Sequence, residues 1–148
     1  MNSRAETLVR WLGLQRHPEG GFYREVYRRA AVTTIYFLLP AGERSRWHRV
    51  RSEEIWHYYE GAPLDLVQLT PNGGELERFV LGALSDLQQP VQCVPAGYWQ
   101  AARSRGDYTL VGCTVAPAFR FEDFSMLKDF PELASKVSRA HPAVAEFV

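Results

Sequence analysis

The chain reads as an all-β sandwich or jelly roll with a short helix at each end. Short β-branched and aromatic runs recur along it, the clearest being Thr33 to Leu39 (TTIYFLL), Leu64 to Leu69 (LDLVQL) and Tyr108 to Val115 (YTLVGCTV). Such runs suit the pleated, half-buried surface of a strand. Turn signals separate them at close intervals: Pro40-Ala41-Gly42 follows the first run, and Thr70-Pro71-Asn72-Gly73-Gly74 follows the second as a hairpin signal. At 148 residues the chain can bury one core without disulfides or a metal staple, so a single domain over residues 1–148 is expected.

Each element follows from its own residues. Ser3 with Glu6 reads as a capping box, and Ala5, Leu8, Val9 and Leu12 recur at helical spacing until Gly13 stops the helix. His17 to Arg29 (HPEGGFYREVYRR) begins with a Pro-Glu-Gly-Gly bend and continues as a first extended segment. After Thr33 to Leu39, strands are expected at Trp47 to Val50 and Ile55 to Glu60, with a turn through Arg51, Ser52 and Glu53 between them. Leu64 to Leu69 and Glu75 to Leu81 form the hairpin. Val91 to Val94 and Tyr98 to Ala102 flank a Pro-Ala-Gly turn, and Tyr108 to Val115 closes the strand set. Phe119 to Phe130 is aromatic and acidic, the composition of a covering segment, and Pro131 opens a final short helix.

Composition narrows the function classes. Seventeen basic and 17 acidic residues balance to a formal net charge of +0, so the basic excess that binds phosphate backbones is missing and nucleic acid is not an expected partner. Cys93 and Cys113 sit in apolar, strand-like runs without CxxC spacing and read as buried free thiols. The N-terminus lacks a charged-then-apolar leader pattern, and no run approaches the roughly 18 apolar residues of a membrane span. A soluble cytoplasmic protein with no membrane partner is expected.

The residues that carry chemistry lie in Gly42 to Gly61 (GERSRWHRVRSEEIWHYYEG) and Pro95 to Ala102 (PAGYWQAA). Alternation along a strand points His48 and Val50 to the same side, and the turn after them lets Glu54 re-enter from the next strand. The same rule puts Glu54, Trp56 and Tyr58 on one face, with Ile55, His57 and Tyr59 on the other, and groups Tyr98, Gln100 and Ala102. With Glu54 and Gln100 facing inward, His48 is the candidate acid or base and Glu54 the carboxylate that orients it. Gln100 then offers an amide to a ligand, and Trp56, Tyr58 and Tyr98 offer aromatic walls with polar tips. A buried pair that only braces two strands, with the aromatics as ordinary core, is the structural alternative. Arg44, Arg46, Arg49 and Arg51 are either an anion-binding lip or a solvated loop countered by Glu43, Glu53 and Glu54. Glu19-Gly20-Gly21 reads as a turn over the barrel mouth, and Arg24 and Glu25 are outlying candidates.

The spacing Gly42, His48, Val50, Glu54, Gly61 resembles the first cupin motif with valine at its second histidine. Pro95 and Gly97 resemble the second motif, with Gln100 at the histidine position and Ser104 at the asparagine position. Four blocks, HPEGGFYRE, WHRVRSEEIWHYYEG, VPAGYWQAA and TLVGCTVAPAFRFEDF, together resemble the small cupin family catalogued as domain of unknown function 985, or cupin-5. This resemblance implies a double-stranded β-helix of the jelly-roll type, usually a homodimer, and no settled activity.

In the metal-binding pattern three imidazoles and a carboxylate converge on iron, manganese, nickel or zinc. Here only His48 and Glu54 remain of that set, so neither a metal nor another cofactor is expected. The expected function is metal-independent acid/base chemistry, of epimerase or isomerase type, on a carbohydrate-like small molecule bound in the barrel. A non-catalytic small-molecule binding module is the alternative, and a metal-dependent enzyme the third reading.

Overall fold

A computed structural model describes residues 1–148. Helix α1 (Ser3–Leu12) is capped by Asn2, whose side chain accepts from the Arg4 and Ala5 N–H groups, and not by the expected Ser3. Asparagine one position earlier serves as well as serine, so the helix starts from it. Gly13 ends the helix at φ 62°.

The strands are β1 (Gln15–Arg16), β2 (Phe22–Arg29), β3 (Val32–Pro40), β4 (Arg44–Arg49), β5 (Glu53–Gly61), β6 (Leu64–Leu69), β7 (Leu76–Leu81), β8 (Val91–Val94), β9 (Trp99–Ser104) and β10 (Tyr108–Ala116). A covering segment with two short 3-10 turns around β11 (Ser125–Met126) then leads to α2 (Pro131–Ala140) and a last 3-10 turn, Pro142–Phe147. The strands pair antiparallel in two sheets, in the orders β1-β2-β3-β10-β5-β8 and β11-β4-β9-β6-β7, and one isolated parallel bridge joins Leu81 to Gln89. The all-β jelly roll with short terminal helices is therefore the observed architecture.

From β3 to β6, and again from β7 to β11, successive strands alternate between the sheets, so β4 and β5, neighbours in sequence, face each other across the interior. Phe37, Leu39, Trp56, Leu64, Leu66 and Val111 fill the space between the sheets toward one end. Outside, α2 and the last turn cover the β4 sheet through Trp47, Trp99, Val137 and Phe147, while α1 sets Ala5 and Leu8 on Leu38 and Leu110 of the other sheet. Burial of these side chains supplies the main driving force for the fold. The barrel is thus solid at one end and hollow only at the other, where β3 begins and β10 finishes. Cys113 is buried as expected, whereas Cys93 is exposed because edge strand β8 turns it outward. No helix is long and apolar enough to cross a membrane.

The hollow end is closed by the turn His17 to Gly21, which packs tightly on the backbones of β3 and β4. The Arg46 N–H donates to the Glu19 carbonyl at 3.0 Å, and the Gly21 N–H donates to Glu43 at 3.1 Å. Gly20 lies at φ 109°, and a Cβ there would fall on the Arg44 carbonyl oxygen. Gly42, at φ 79°, has nothing within 4 Å of its Cβ position. Changing Gly20→Ala is therefore expected to destabilise by at least about 2 kcal/mol, backbone strain plus a clash, and Gly42→Ala by only about 1 kcal/mol. Urea midpoints of the two variants test the difference; equal losses would mean that the turn does not rest on β4 as described.

Candidate functional site

Strand β4 carries a bulge: Ser45 pairs with Ala102 and His48 with Gln100, leaving Arg46 and Trp47 opposite Ala101 alone. The extra residue re-aims the strand so that Ser45 and His48 both turn inward while Trp47 joins the outer cluster. His48 is held at both nitrogens. Its Nδ1 lies 2.7 Å from the Arg46 carbonyl oxygen, which can only accept, and its Nε2 lies 2.8 Å from Oε2 of Glu19. The ring stacks on Phe124, with centroids 5.5 Å apart.

The charges follow from this geometry. Burial alone would strip the proton from His48, but the charge and hydrogen bond of Glu19 outweigh it, with further help from Glu54 and the Arg46 carbonyl, and its pKa stands at about 9. For Glu19 burial pushes the pKa up, yet His48 and His17 pull harder, and it ends below the ordinary carboxylate value. His48 and Glu19 therefore form a buried imidazolium–carboxylate pair at neutral pH.

Glu54 enters from the opposite sheet at the start of β5. Its Oε1 accepts from the Gln100 amide at 3.1 Å, and Oε1 of Gln100 accepts from the Trp56 indole at 2.8 Å. Burial raises the Glu54 pKa, the His48 charge opposes this, and the Glu19 charge adds to it. The result is about 7. Glu54 is thus the group here that changes protonation near neutrality.

His48, Glu19 and Glu54 border a cavity of about 220 Å³ that also includes His17, Cys113 and Val50. Phe119, Phe121 and Phe124 of the covering segment supply its apolar wall. That segment is pinned by the Phe119 N–H donating to Thr33 and by Arg28 donating to the Phe119 carbonyl.

Several sequence-based expectations change here. His48 and Glu54 do meet at one cavity, on facing sheets, but Glu19 orients His48, because the turn carrying it is pressed against β4 and reaches the ring first. Gln100 faces inward, yet it lies behind Glu54 and does not line the cavity. Trp56 is core, packed edge-on against Phe37 with its N–H committed to Gln100. Tyr58 donates its hydroxyl to the Gly61 carbonyl, and Tyr98 packs against the central cluster; neither reaches the cavity. Alternation fixes the face of a side chain and not its depth, and Trp56, Tyr58 and Tyr98 belong to the solid end.

The arginines do not ring the mouth. Arg44 pairs with Glu146 at 2.7 Å, Arg46 donates to the Val148 carbonyl, Arg49 lies over Trp99, and Arg51 is 84% exposed. Arg24 donates to the Leu12 carbonyl, while Glu25 borders the cavity and pairs with Arg28. His17 was missed, and Glu19, read as part of a turn over the mouth, was not recognised as the partner of His48. Their signal was a histidine and a glutamate in the turn just before Gly-Gly.

The donor set does not fit the metal-binding pattern. Val50 offers nothing, the Gln100 oxygen is occupied by Trp56, and both His48 nitrogens are engaged.

A family model described as Cupin superfamily (DUF985) matches residues 6–127. Among solved structures, protein SO0799 from Shewanella oneidensis is similar with a TM-score of 0.87 at 34% identity, over 99% of this chain and 96% of that one. A hypothetical protein from Leishmania major gives 0.81 at 28% identity, over 95% and 94%. Oxalate decarboxylase from Bacillus subtilis shares the fold, with a TM-score of 0.65 at 14% identity over 84% of this chain and 33% of that one. No curated protein matches the chain.

The raised pKa values dictate how stability depends on pH. A group whose pKa is higher in the folded state stabilises fully below its unfolded pKa and loses that contribution as pH rises through the folded one. For Glu54 the window runs from 4.5 to about 7, and for His48 from 6.5 to about 9, so both lower stability as pH rises. Glu19 acts in the opposite sense, losing its contribution in acid below 4.5. Glu54→Gln is expected to remove most of the decline between about pH 5 and 7, where one proton contributes up to about 1.4 kcal/mol per pH unit. Urea unfolding across that range tests this; an unchanged slope would mean that Glu54 titrates normally.

Proposed function

Because the chain belongs to the DUF985 family of the cupin superfamily, whose barrel here encloses a hollow with a titrating carboxyl, we propose that it is a small-molecule epimerase or isomerase. Glu54 takes a proton from carbon and returns it. The observation that carries this reading is the Glu54 carboxyl itself: buried, held by Gln100 and poised near pH 7 at a cavity bordered by a fixed imidazolium–carboxylate pair. A general base works best when its pKa lies near the working pH.

The remaining residues take roles from their positions. His48 holds positive charge beside the cavity, and Glu19 keeps it protonated and oriented. The rings of Phe119, Phe121 and Phe124 offer an apolar wall for the C–H face of an oxygenated ligand, which supports a carbohydrate-like substrate. The same cavity serves the second reading, a non-catalytic binding module, which is favoured by one feature: both His48 N–H groups are already committed inside the protein.

A panel of aldoses, ketoses and their acids incubated in heavy water separates these readings. Deuterium incorporation at carbon is expected for at least one member, with a rate that rises as pH passes about 7 and falls roughly 10²- to 10⁴-fold in Glu54→Gln. Saturable binding without exchange across the panel would establish the binding module instead. Exchange that persists undiminished in Glu54→Gln would remove Glu54 from the mechanism.

A further inference from the structure

Two imidazoles border the cavity, and only one has an N–H to offer. His48 commits both nitrogens to the protein. His17 uses Nδ1 alone, as acceptor of the Glu19 backbone N–H at 3.1 Å. An acceptor nitrogen carries no proton, so the neutral ring must carry it on Nε2. Moving it to Nδ1 would forfeit that hydrogen bond.

The His17 side chain is only 7% exposed. It stands edge-on to Tyr23 at 4.6 Å and to Phe124 at 6.2 Å, and borders the same cavity as Glu54. Its Nε2 makes no hydrogen bond within the protein. A ring lining a cavity with one N–H that no protein group claims leaves that donor to whatever occupies the cavity.

We propose that His17 donates its Nε2–H to the carbonyl oxygen of the substrate, which makes the substrate class a carbonyl compound bearing a C–H on the adjacent carbon, such as an α-hydroxy aldehyde or ketone. This rests on the proton-transfer reading above and adds to it the electrophilic partner and the functional group. In the step, Glu54 takes the proton from the carbon beside the carbonyl. The C–H electron pair becomes the new C=C bond, and the carbonyl π pair moves to oxygen, stabilised by the His17 N–H. Return of a proton from Glu54 to the same carbon on the same face reverses the step and exchanges that hydrogen with solvent. Return to the former carbonyl carbon, with the hydroxyl proton relayed between the two oxygens through His17, gives the isomer. Nothing is oxidised or reduced overall. A neutral imidazole suits the role because its N–H is present throughout the working range and reprotonation from the enol regenerates it.

Two measurements test the assignment. Burial lowers the His17 pKa from its ordinary value, so nitrogen-15 NMR of the whole chain should show His17 as the neutral Nε2–H tautomer between about pH 7 and 8, with the Nε2 signal shifting when glycolohydroxamate, a planar oxyanion mimic, is added. In the deuterium-exchange assay, His17→Leu should lower kcat roughly 10²- to 10³-fold with KM changed less than about threefold. His17→Gln, which keeps an N–H near the same place, should recover at least about a tenth of the wild-type rate. A Nδ1–H tautomer, an absent hydroxamate shift, or a His17→Leu variant as fast as wild type would each overturn the assignment. Loss of exchange in Glu54→Gln alongside full activity in His17→Leu would sink this inference and leave the proton-transfer reading standing. Exchange that survives Glu54→Gln would sink both. If no panel member exchanges, the hydroxamate titration alone decides for or against the donor.

Discussion

The ion pair between Glu19 and His48, 2.8 Å long and shut off from solvent, sets the charge state of the groups around it. Burying two charges is expensive, and the arrangement holds because each nitrogen of the ring has an oxygen to donate to. Once the pair has formed, its two charges largely cancel, and a third ionisable group nearby finds no net positive field to offset its own burial. Glu54 is that group. Its pKa rises because desolvation and the Glu19 charge together exceed the attraction of His48. The carboxyl that titrates near neutrality is thus a consequence of another carboxyl having claimed the imidazole.

This outcome depends on how the chain is wound. Alternation of strands between sheets places β4 opposite β5 and so sets His48 across from Glu54. The β4 bulge turns the imidazole inward, and the His17 to Gly21 turn then delivers Glu19 from outside the strand pair. Gly20 is what permits the approach, since any side chain there would collide with the β4 backbone. The covering segment completes the site by stacking Phe124 on the imidazole and walling the cavity with apolar rings.

Much of this was legible in the residues. Strand runs, the Asn-Gly-Gly hairpin and the inward pairing of His48 with Val50 follow from local chemistry and a period of two, and so does the inward aim of Glu54 and Gln100. What was not legible is long-range. Which carboxylate meets His48 depends on how a turn some 30 residues earlier folds back, and alternation is silent on that. Nor does it show depth along the barrel, which is why Trp56, Tyr58 and Tyr98 belong to packed core while Phe119, Phe121 and Phe124, in a stretch readable only as a cover, line the cavity. The arginines of the first motif illustrate the same gap: their partners, Glu146 and the Val148 carbonyl, lie at the far end of the chain.

The remodelling of the motif positions has a consistent electrostatic logic. In the metal-binding pattern a cation supplies the positive charge that carboxylate ligands and developing oxyanions require. Here Val50 removes one donor and Gln100 is drawn into a chain running from Trp56 to Glu54. Positive charge at the cavity is instead carried by a protonated imidazole, fixed by Glu19. An imidazolium so fixed cannot also hand its protons to a ligand, so in the proposed step donation falls to the second ring, His17, which borders the same space and whose Nε2 no protein group claims. On that proposal charge and proton donation, which a metal and its bound water would combine, are divided between His48 and His17, with Glu54 left to titrate between them.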